Sequence, residues 1–290
     1  MQIPYPIPFT KMSGTGNDFI IIDHRQPLLA KADLPAFARA VCRRRFSVGA
    51  DGLILIEPST SVDFRWRFFN ADGSVAEMCG NGARCAARFA FQKQIAPARM
   101  RFETLAGIIE AEVMEGDGME AAVKLRMTPP IDQALNQQLF IGELAKTIHS
   151  INTGVPHAVH FVDDIDRTPV FEWGRLLRHH ERFQPAGTNV NFAQLLRDNT
   201  IKVRTYERGV EDETMACGTG AVAVALIAAL LDRAASPVRI ITSGGDQLTI
   251  HFRLATGTGA AVSEVFLEGP AYFVYEGQLG KETIHPAPAG

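Results

Sequence analysis

The sequence predicts an α+β protein built from two pseudo-symmetric domains, each a strand-rich, barrel-like sheet around one central helix. Three observations lead there. The segment Asn70–Ala83 aligns without a gap on Arg208–Ala221, at a constant offset of 138 positions (70 to 208, 79 to 217) in a chain of 290 residues. Repetition at that distance signals a duplicated structural unit. Short runs rich in β-branched and aromatic residues recur along both halves, as half-buried strands require. Finally, each copy ends in Cys-Gly-x-Gly-Ala and opens onto a run of small and apolar residues. A helix apolar around most of its circumference is a buried one.

In the first half, strands are expected over Asp18–Asp23, Gly52–Glu57 and Phe64–Phe69, then over Met100–Thr104, Ile108–Met114 and Glu120–Met127, with a turn at Gly116-Asp117-Gly118. A helix is expected over Leu34–Arg45, with Asp33 as its N-cap and the cations Arg43, Arg44 and Arg45 at its C-terminal end, where they complement the macrodipole. That triplet reads as a solvated face. The first central helix covers Gly82–Gln94 and the second Gly220–Arg233. Strands of the second half are expected over Ser150–Thr153, Ala158–Val162, Thr200–Tyr206, Val238–Thr242, Gln247–Phe252 and Val262–Leu267, with a hairpin turn at Gly244-Gly245-Asp246. His179-His180 reads as a polar helix surface. Thr128-Pro129-Pro130 suits a linker, since paired prolines favour an extended connection. The first domain then takes residues 1–127 with the tail from about 276 to 290, and the second takes 128–275. Little order is expected in the last few residues of the Gly/Pro-rich tail.

Composition narrows the function. A hydrophobic fraction of 46%, a charged fraction of 21% and a formal charge of −3 are those of a soluble globular protein, with no sign of a nucleic-acid or membrane partner. The start, broken by three prolines before Phe9, lacks a signal peptide's basic segment. The run Ala221–Leu231 is far short of the roughly 20 residues of a membrane span. Four cysteines without secretory features suggest reduced thiols in the cytoplasm.

Cys79 and Cys217 carry the chemical argument. Each precedes a helix whose first N–H groups lack intrahelical partners and bear partial positive charge. Such a position favours a thiolate near neutrality. The glycines at 80, 82, 218 and 220 let a ligand approach the backbone, and the N–H groups can hold a carboxylate. Two facing ends of this kind would grip one α-carboxylate and stabilise the charge that develops as the α-proton leaves. Inversion of an α-carbon needs a base on one face and an acid on the other, which a thiolate/thiol pair supplies. A lone cysteine would more often be a small packing residue, and Cys42 and Cys85 are read that way. No compact Cys/His spacing supports a metal.

The motifs Phe9-Thr-Lys-Met-Ser-Gly-Thr-Gly-Asn17-Asp-Phe19, Phe69-Asn70-Ala-Asp-Gly-Ser, Met78-Cys79-Gly-Asn-Gly-Ala-Arg-Cys85, Gly187-Thr-Asn189-Val-Asn191-Phe and Tyr206-Glu207-Arg208-Gly with Ala216-Cys217-Gly-Thr-Gly220 occur in order. Together they resemble the diaminopimelate epimerase family, from Phe9 to about Pro270. The resemblance implies cofactor-independent interconversion of LL- and meso-diaminopimelate, in lysine and peptidoglycan-precursor synthesis, by a homodimer. It implies that Cys79 and Cys217 are the acid/base pair. It also implies that Asn17, Asn70, Asn189, Glu207 and Arg208 contact the substrate's charged groups, beside Gly80, Asn81, Gly218 and Thr219 at the helix starts. His157 matches a family histidine with a supporting polar role. Two departures bear on side-chain recognition: Val155 stands where members often have Asn, and Gly52 where some carry Gln. The rival readings are a proline-racemase-like enzyme of the same fold and a thiol redox or ligand-binding protein that switches a Cys79–Cys217 disulfide. A redox protein works without an amino acid, whereas a racemase exchanges solvent deuterium into one.

Overall fold

Residues 5–114, 122–254 and 262–283 are described by a computed structural model. The strands are β1 (Ile7–Gly14), β2 (Asn17–Asp23), β3 (Gly52–Glu57), β4 (Phe64–Asn70), β5 (Arg99–Thr104), β6 (Gly107–Val113), β7 (Ala122–Arg126), β8 (Ile131–Ile141) and β9 (Leu144–Asn152). They continue as β10 (Pro156–Phe161), β11 (Asn189–Leu195), β12 (Thr200–Glu207), β13 (Asp212–Thr214), β14 (Val238–Ile241), β15 (Gln247–Leu254), β16 (Val262–Pro270) and β17 (Tyr272–Leu279). Four α-helices accompany them: α1 (Leu34–Cys42), α2 (Gly80–Gln92), α3 (Val170–Arg178) and α4 (Gly218–Leu230). The chain divides into two compact units, Met1–Leu125 with Pro270–Gly290, and Arg126–Gly269.

In the first unit the ladder runs β17, β1, β2, β3, β4, β5, β6, β7, and its successive pairings are antiparallel, antiparallel, parallel, antiparallel, parallel, antiparallel and antiparallel. In the second unit the ladder runs β8, β9, β10, β11, β12, β14, β15, β16 with the same succession. The duplication read from two short segments thus extends to the whole strand order. Even the short β13, paired with β12, has a first-unit echo in a single bridge between Phe69 and Val75.

Each sheet curls around its central helix. α2 touches β1, β2, β3 and β6, and α4 touches β9 to β12, β14 and β15. Helix α4 is buried continuously from Gly220 to Ala229 and has no polar face. Its Val222, Val224, Leu226 and Ile227 are all fully buried, each contributing about 1.5–3 kcal/mol of transfer free energy. Helix α2 differs from the apolar reading by burying Arg84 completely. Helices α1 and α3 occupy matching outer positions, α1 on β3 and β4, α3 on β11 and β12.

Several expectations need correction. Helix α1 stops at Cys42 because Arg43 turns to an extended conformation (φ −64°, ψ 110°), so the arginine triplet lies beyond it, and the Asp33 side chain makes no capping bond. Arg44 is ion-paired with Asp18 and Asp51 instead of merely solvated. Helix α3 is not among the expected elements, because Gly174 interrupts its pattern. A Cβ there would lie 2.4 Å from that of Tyr206, so the glycine permits close packing on β12. His179 and His180 follow α3 and are not on its surface; the His180 ring accepts from the Arg182 N–H. Strands β1, β8, β11, β13 and β17 also lie outside the expected elements. In β8, Asp132 and Asn136 take positive φ (53° and 54°) at register shifts, which break the alternation that identifies a strand. In β11, buried Asn189 and Asn191 mask its apolar face. The return to the first unit starts at Pro270, because β17 pairs with β1 from Tyr272 onward. The Gly116–Gly118 turn, the first two residues of the Glu120–Met127 strand and the last residues of the tail lie outside the described residues. Among the described residues, no helix is long and apolar enough to cross a membrane.

Candidate active site

In the first unit, Cys79 is the N-cap of α2. Its backbone is extended (φ −148°, ψ 119°) and its carbonyl accepts the Ala83 N–H at 2.8 Å. The half-buried thiol donates to Asn17 Oδ1 at 3.4 Å. Asn17 opens β2, Gly52 opens β3, and Asn70 closes β4 opposite Gly52, so these residues share one end of the sheet. Asn17 Nδ2 donates to Asp51 Oδ2 at 2.6 Å. Arg44 Nη2 donates to Asp51 Oδ1 at 2.9 Å and to Asp18 Oδ1 at 2.6 Å, and Lys11 pairs with Asp18 at 2.7 Å. Burial alone would raise the Asp18 pKa, but hydrogen bonds and charge from Arg44 and Lys11 outweigh it and hold the carboxyl below its usual range. Asn70 is exposed, its amide donating to Ser74 Oγ at 2.9 Å.

At the first turn of α2, a Cβ on Gly80 would meet nothing within 4 Å, leaving that backbone approachable. Asn81 is buried, and its Oδ1 accepts from Thr15 Oγ1 at 3.1 Å and Arg84 Nη2 at 3.0 Å. Its side chain therefore braces the helix start, leaving its backbone N–H as the group suited to a ligand. Arg84 also donates to Thr15 Oγ1, to the Gly80 carbonyl and to the Pro270 carbonyl. Sequence reasoning missed this brace. The available signal was an arginine among Ala83, Cys85, Ala86 and Ala87 on a buried helix, which must find internal acceptors.

The second unit repeats the placement with different chemistry. Cys217 is the N-cap of α4 (φ −121°, ψ 108°), half-buried, and its carbonyl accepts the Ala221 N–H at 2.9 Å. Its sulfur lies 3.6 Å from Thr219 Oγ1, and Thr153 Oγ1 donates to the Thr219 carbonyl at 3.0 Å. A Cβ on Gly220 would fall 2.3 Å from Asn191 Oδ1, so only glycine lets α4 sit on that amide. Asn191 Oδ1 accepts from Thr205 Oγ1 at 2.9 Å, and its Nδ2 donates to the Ala158 carbonyl and to His157 Nδ1. With Nδ1 the acceptor, His157 carries its proton on Nε2, which has no hydrogen-bond partner among the described residues. Burial, reinforced by the charge of Arg208, pushes the His157 pKa down to about 3, so the ring is neutral.

Asn189 opens β11 beside His157 and accepts the Arg208 N–H at 2.8 Å. Glu207 closes β12, and burial raises its pKa despite the hydrogen bond from Thr214 Oγ1 at 2.9 Å. Arg208 Nη1 donates to the Ala186 carbonyl at 3.1 Å, and a Cβ on Gly218 would touch Leu267 Cδ1 at 3.1 Å. The second unit thus gathers Cys217, Gly218 and Thr219 at the start of α4, and His157, Asn189, Glu207 and Arg208 at one end of β10–β12. Cys42 and Cys85 are buried elsewhere, and desolvation pushes both thiols up to about 12. Gly52 has a steric reason: a Cβ there would lie 2.5 Å from the Phe68 ring, so a longer side chain cannot occupy that position unless the ring moves. Val155 is half-buried at the turn before β10, where its carbonyl accepts the Thr153 N–H.

Known proteins give this arrangement a family. The profile of the diaminopimelate epimerases matches residues 9–131 and 149–274. A relative named diaminopimelate epimerase from Aquifex aeolicus (strain VF5) is 48% identical over 288 residues, covering 95% of this chain and 99% of its own. Another of that name from Hydrogenobaculum sp. (strain Y04AAS1) is 47% identical over 94% of this chain and 98% of its own. Among solved structures, a hydroxyproline epimerase from Agrobacterium vitis superposes with a TM-score of 0.71 at 18% identity, covering 99% of this chain and 94% of its own. A phenazine biosynthesis protein of the PhzF family from Bacillus anthracis does so with a TM-score of 0.72 at 16% identity, covering 96% and 99%. At such identities these two share the fold alone. Matched over most of its length by profile and relatives alike, the chain belongs to the diaminopimelate epimerase family.

Proposed function

We propose that this protein is an isomerase that interconverts LL- and meso-diaminopimelate without a cofactor, using Cys79 and Cys217 as a two-thiol acid/base pair. The observation that carries the reading is the duplicated presentation of a half-buried cysteine at a glycine-opened helix N-terminus, once per unit, in a member of this family. One sulfur, as thiolate, takes the α-proton from one face. The C–H electron pair passes toward the α-carboxylate. The other sulfur, as thiol, delivers a proton to the opposite face. The N–H groups at Gly80, Asn81, Gly218 and Thr219 suit the α-carboxylate, whose charge grows in the transition state. Asn17, Asn70, Asn189, Glu207 and Arg208 hold the remaining ammonium and carboxylate groups, with neutral His157 supporting the Asn191 amide behind Gly220. Each unit is one half of the epimerase, and the enzyme works as a cytoplasmic homodimer in lysine and peptidoglycan-precursor synthesis.

The test is incubation with LL-diaminopimelate in heavy water, with neither metal nor pyridoxal phosphate added. The meso isomer should form with deuterium at one α-carbon. Lysine, glutamate and proline should stay protiated, since sites built for polar groups reject analogues lacking them by roughly 10⁴–10⁵-fold. Exchange into proline with none into diaminopimelate would overturn the substrate assignment.

A further inference from the structure

In both units the segment leading to the cysteine folds back on the strand before it and lays a hydroxyl against the polar side chain at that strand's end. In the second unit this return is β13, which pairs with β12 so that Thr214 lies opposite Thr205. Thr214 Oγ1 donates to Glu207 Oε2 at 2.9 Å. No other hydrogen bond or ion pair reaches the Glu207 carboxylate from the described residues, so Oε1 keeps its lone pairs for a donor. In the first unit the return is the turn from Asn70 to Ser74, followed by the bridge between Phe69 and Val75. Ser74 Oγ lies 2.6 Å from Asp72 Oδ1 and 2.9 Å from Asn70 Nδ2. These two bonds fix the polarity of the amide. A hydroxyl has one proton and a carboxylate can only accept, so the Ser74 proton goes to Asp72 and the Ser74 oxygen takes the Asn70 NH₂. The bonds from Ser74 hold the Asp72 carboxyl below its usual range, which keeps it an acceptor. Asn70 must then turn Oδ1 away from the turn, and no described residue donates to it.

We infer that Ser74 and Thr214 are positioning residues, which set Asn70 and Glu207 so that each unit presents an oxygen acceptor, Asn70 Oδ1 or Glu207 Oε1, to a substrate ammonium. This rests on the function proposed above and assigns these two side chains to ammonium rather than to carboxylate. Asn189 is set the other way. Its Oδ1 takes the Arg208 N–H at 2.8 Å, which leaves it only N–H groups, and the Arg208 guanidinium has only donors, so these two suit a carboxylate. The hydroxyls are not needed to close their own turns. Backbone bonds from Asn70 N–H to the Ser74 carbonyl and from Gly73 N–H to the Asn70 carbonyl already close the first, with the Ser74 N–H on Asp72 Oδ1. Strand pairing with β12 already holds β13. What each hydroxyl adds is a fixed direction for the side chain at the strand's end.

Double-mutant cycles on kcat/KM for LL-diaminopimelate test the inference in the full-length protein. Thr214→Val keeps the shape and removes the hydroxyl; it should lower kcat/KM roughly tenfold, the usual contribution of one hydrogen bond to a charged group, and Ser74→Ala should lower it about fivefold. Thr214→Ser and Ser74→Thr keep the hydroxyl and should stay near wild type. A residue that acts through another loses its effect once that other is gone. Thr214→Val should therefore change nothing further in a Glu207→Ala enzyme, nor Ser74→Ala in an Asn70→Ala enzyme, whereas a general loss of structure would lower both again. Calorimetric affinity for diaminopimelate, read in the same cycles, serves where the alanine enzymes turn over too slowly. Inhibition by pimelate, which carries both carboxylates and no amino group, should be the same in wild type, Thr214→Val and Ser74→Ala. Additive losses, or pimelate inhibition that weakens in step with kcat/KM, overturn the inference in an enzyme that still epimerises diaminopimelate. A wild type without that activity overturns the proposed function instead, and the ammonium assignment with it.

Discussion

Around Cys79 much of the support is charged: Asp51 and Arg44 reach solvent, Lys11 and Asp18 close the cluster behind Asn17, and fully buried Arg84 braces the helix start. Around Cys217 they are neutral and sealed, with Asn191, His157 and Thr205 buried in one chain of hydrogen bonds beneath Gly220. Yet both cysteines occupy the N-cap position of a helix of the same length, and both of their carbonyls accept the N–H four residues on. Duplication has therefore kept what the helix backbone supplies, an N-terminus with unsatisfied N–H groups, while the side chains behind it diverged.

The sharpest way to break the comparison is to remove one sulfur at a time. Cys79→Ala and Cys217→Ala should each lower epimerisation by at least 10²–10⁴-fold, the usual contribution of a general acid or base. Cys42→Ala and Cys85→Ala should leave turnover near wild type and show their effect in thermal stability, because their thiols are buried and pushed up to about 12. Optical rotation read on the four variants checks this. A single active-site cysteine whose loss is tolerated would end the equivalence of the two repeats.

A smaller effect should separate the two environments by pH. Burial holds His157 neutral, with a pKa pushed down to about 3 from 6.5, so the unfolded chain binds a proton that the folded chain refuses. The stability associated with the neutral ring is present above pH 6.5 and is lost progressively as pH falls toward 3. One such proton corresponds to about 1.4 kcal/mol per pH unit within that window. His149, pushed down to about 4 chiefly by burial, acts in the same direction. Urea unfolding between pH 7 and pH 4 should show the wild type losing stability more steeply than His157→Gln, by about that slope. Parallel pH profiles would mean that the imidazole beneath α4 is not held neutral by the fold.

Much of this was legible in the sequence because the repeat carries its own register. The Cys-Gly-x-Gly-Ala copies placed both helix starts within two residues, and short runs such as Gly52–Glu57 and Val238–Thr242 alternate or concentrate apolar residues strongly enough to mark strands. Illegible were elements whose pattern is broken by packing. Helix α3 needs Gly174 against Tyr206, β8 resets its alternation at Asp132 and Asn136, and β11 buries asparagines where a strand normally buries aliphatics. The place of each cysteine at a helix start was legible, but the contacts behind it were not. Asp51 and Arg84 make contacts 34 and 69 residues away in sequence, with Asn17 and Thr15 respectively, and no local spacing announces such pairs.

The central claim, that two different sulfurs serve the two faces of one carbon, is tested most directly by where deuterium appears at the start of the reaction in heavy water. A thiol carries a single proton, so a proton taken by one sulfur can return only to the face it left, while the other sulfur delivers deuterium. At the first few per cent of conversion, the meso product should carry deuterium at the inverted centre while recovered LL-diaminopimelate remains protiated. Product that retains the original proton, or substrate that gains deuterium as fast as product forms, would contradict a two-thiol mechanism.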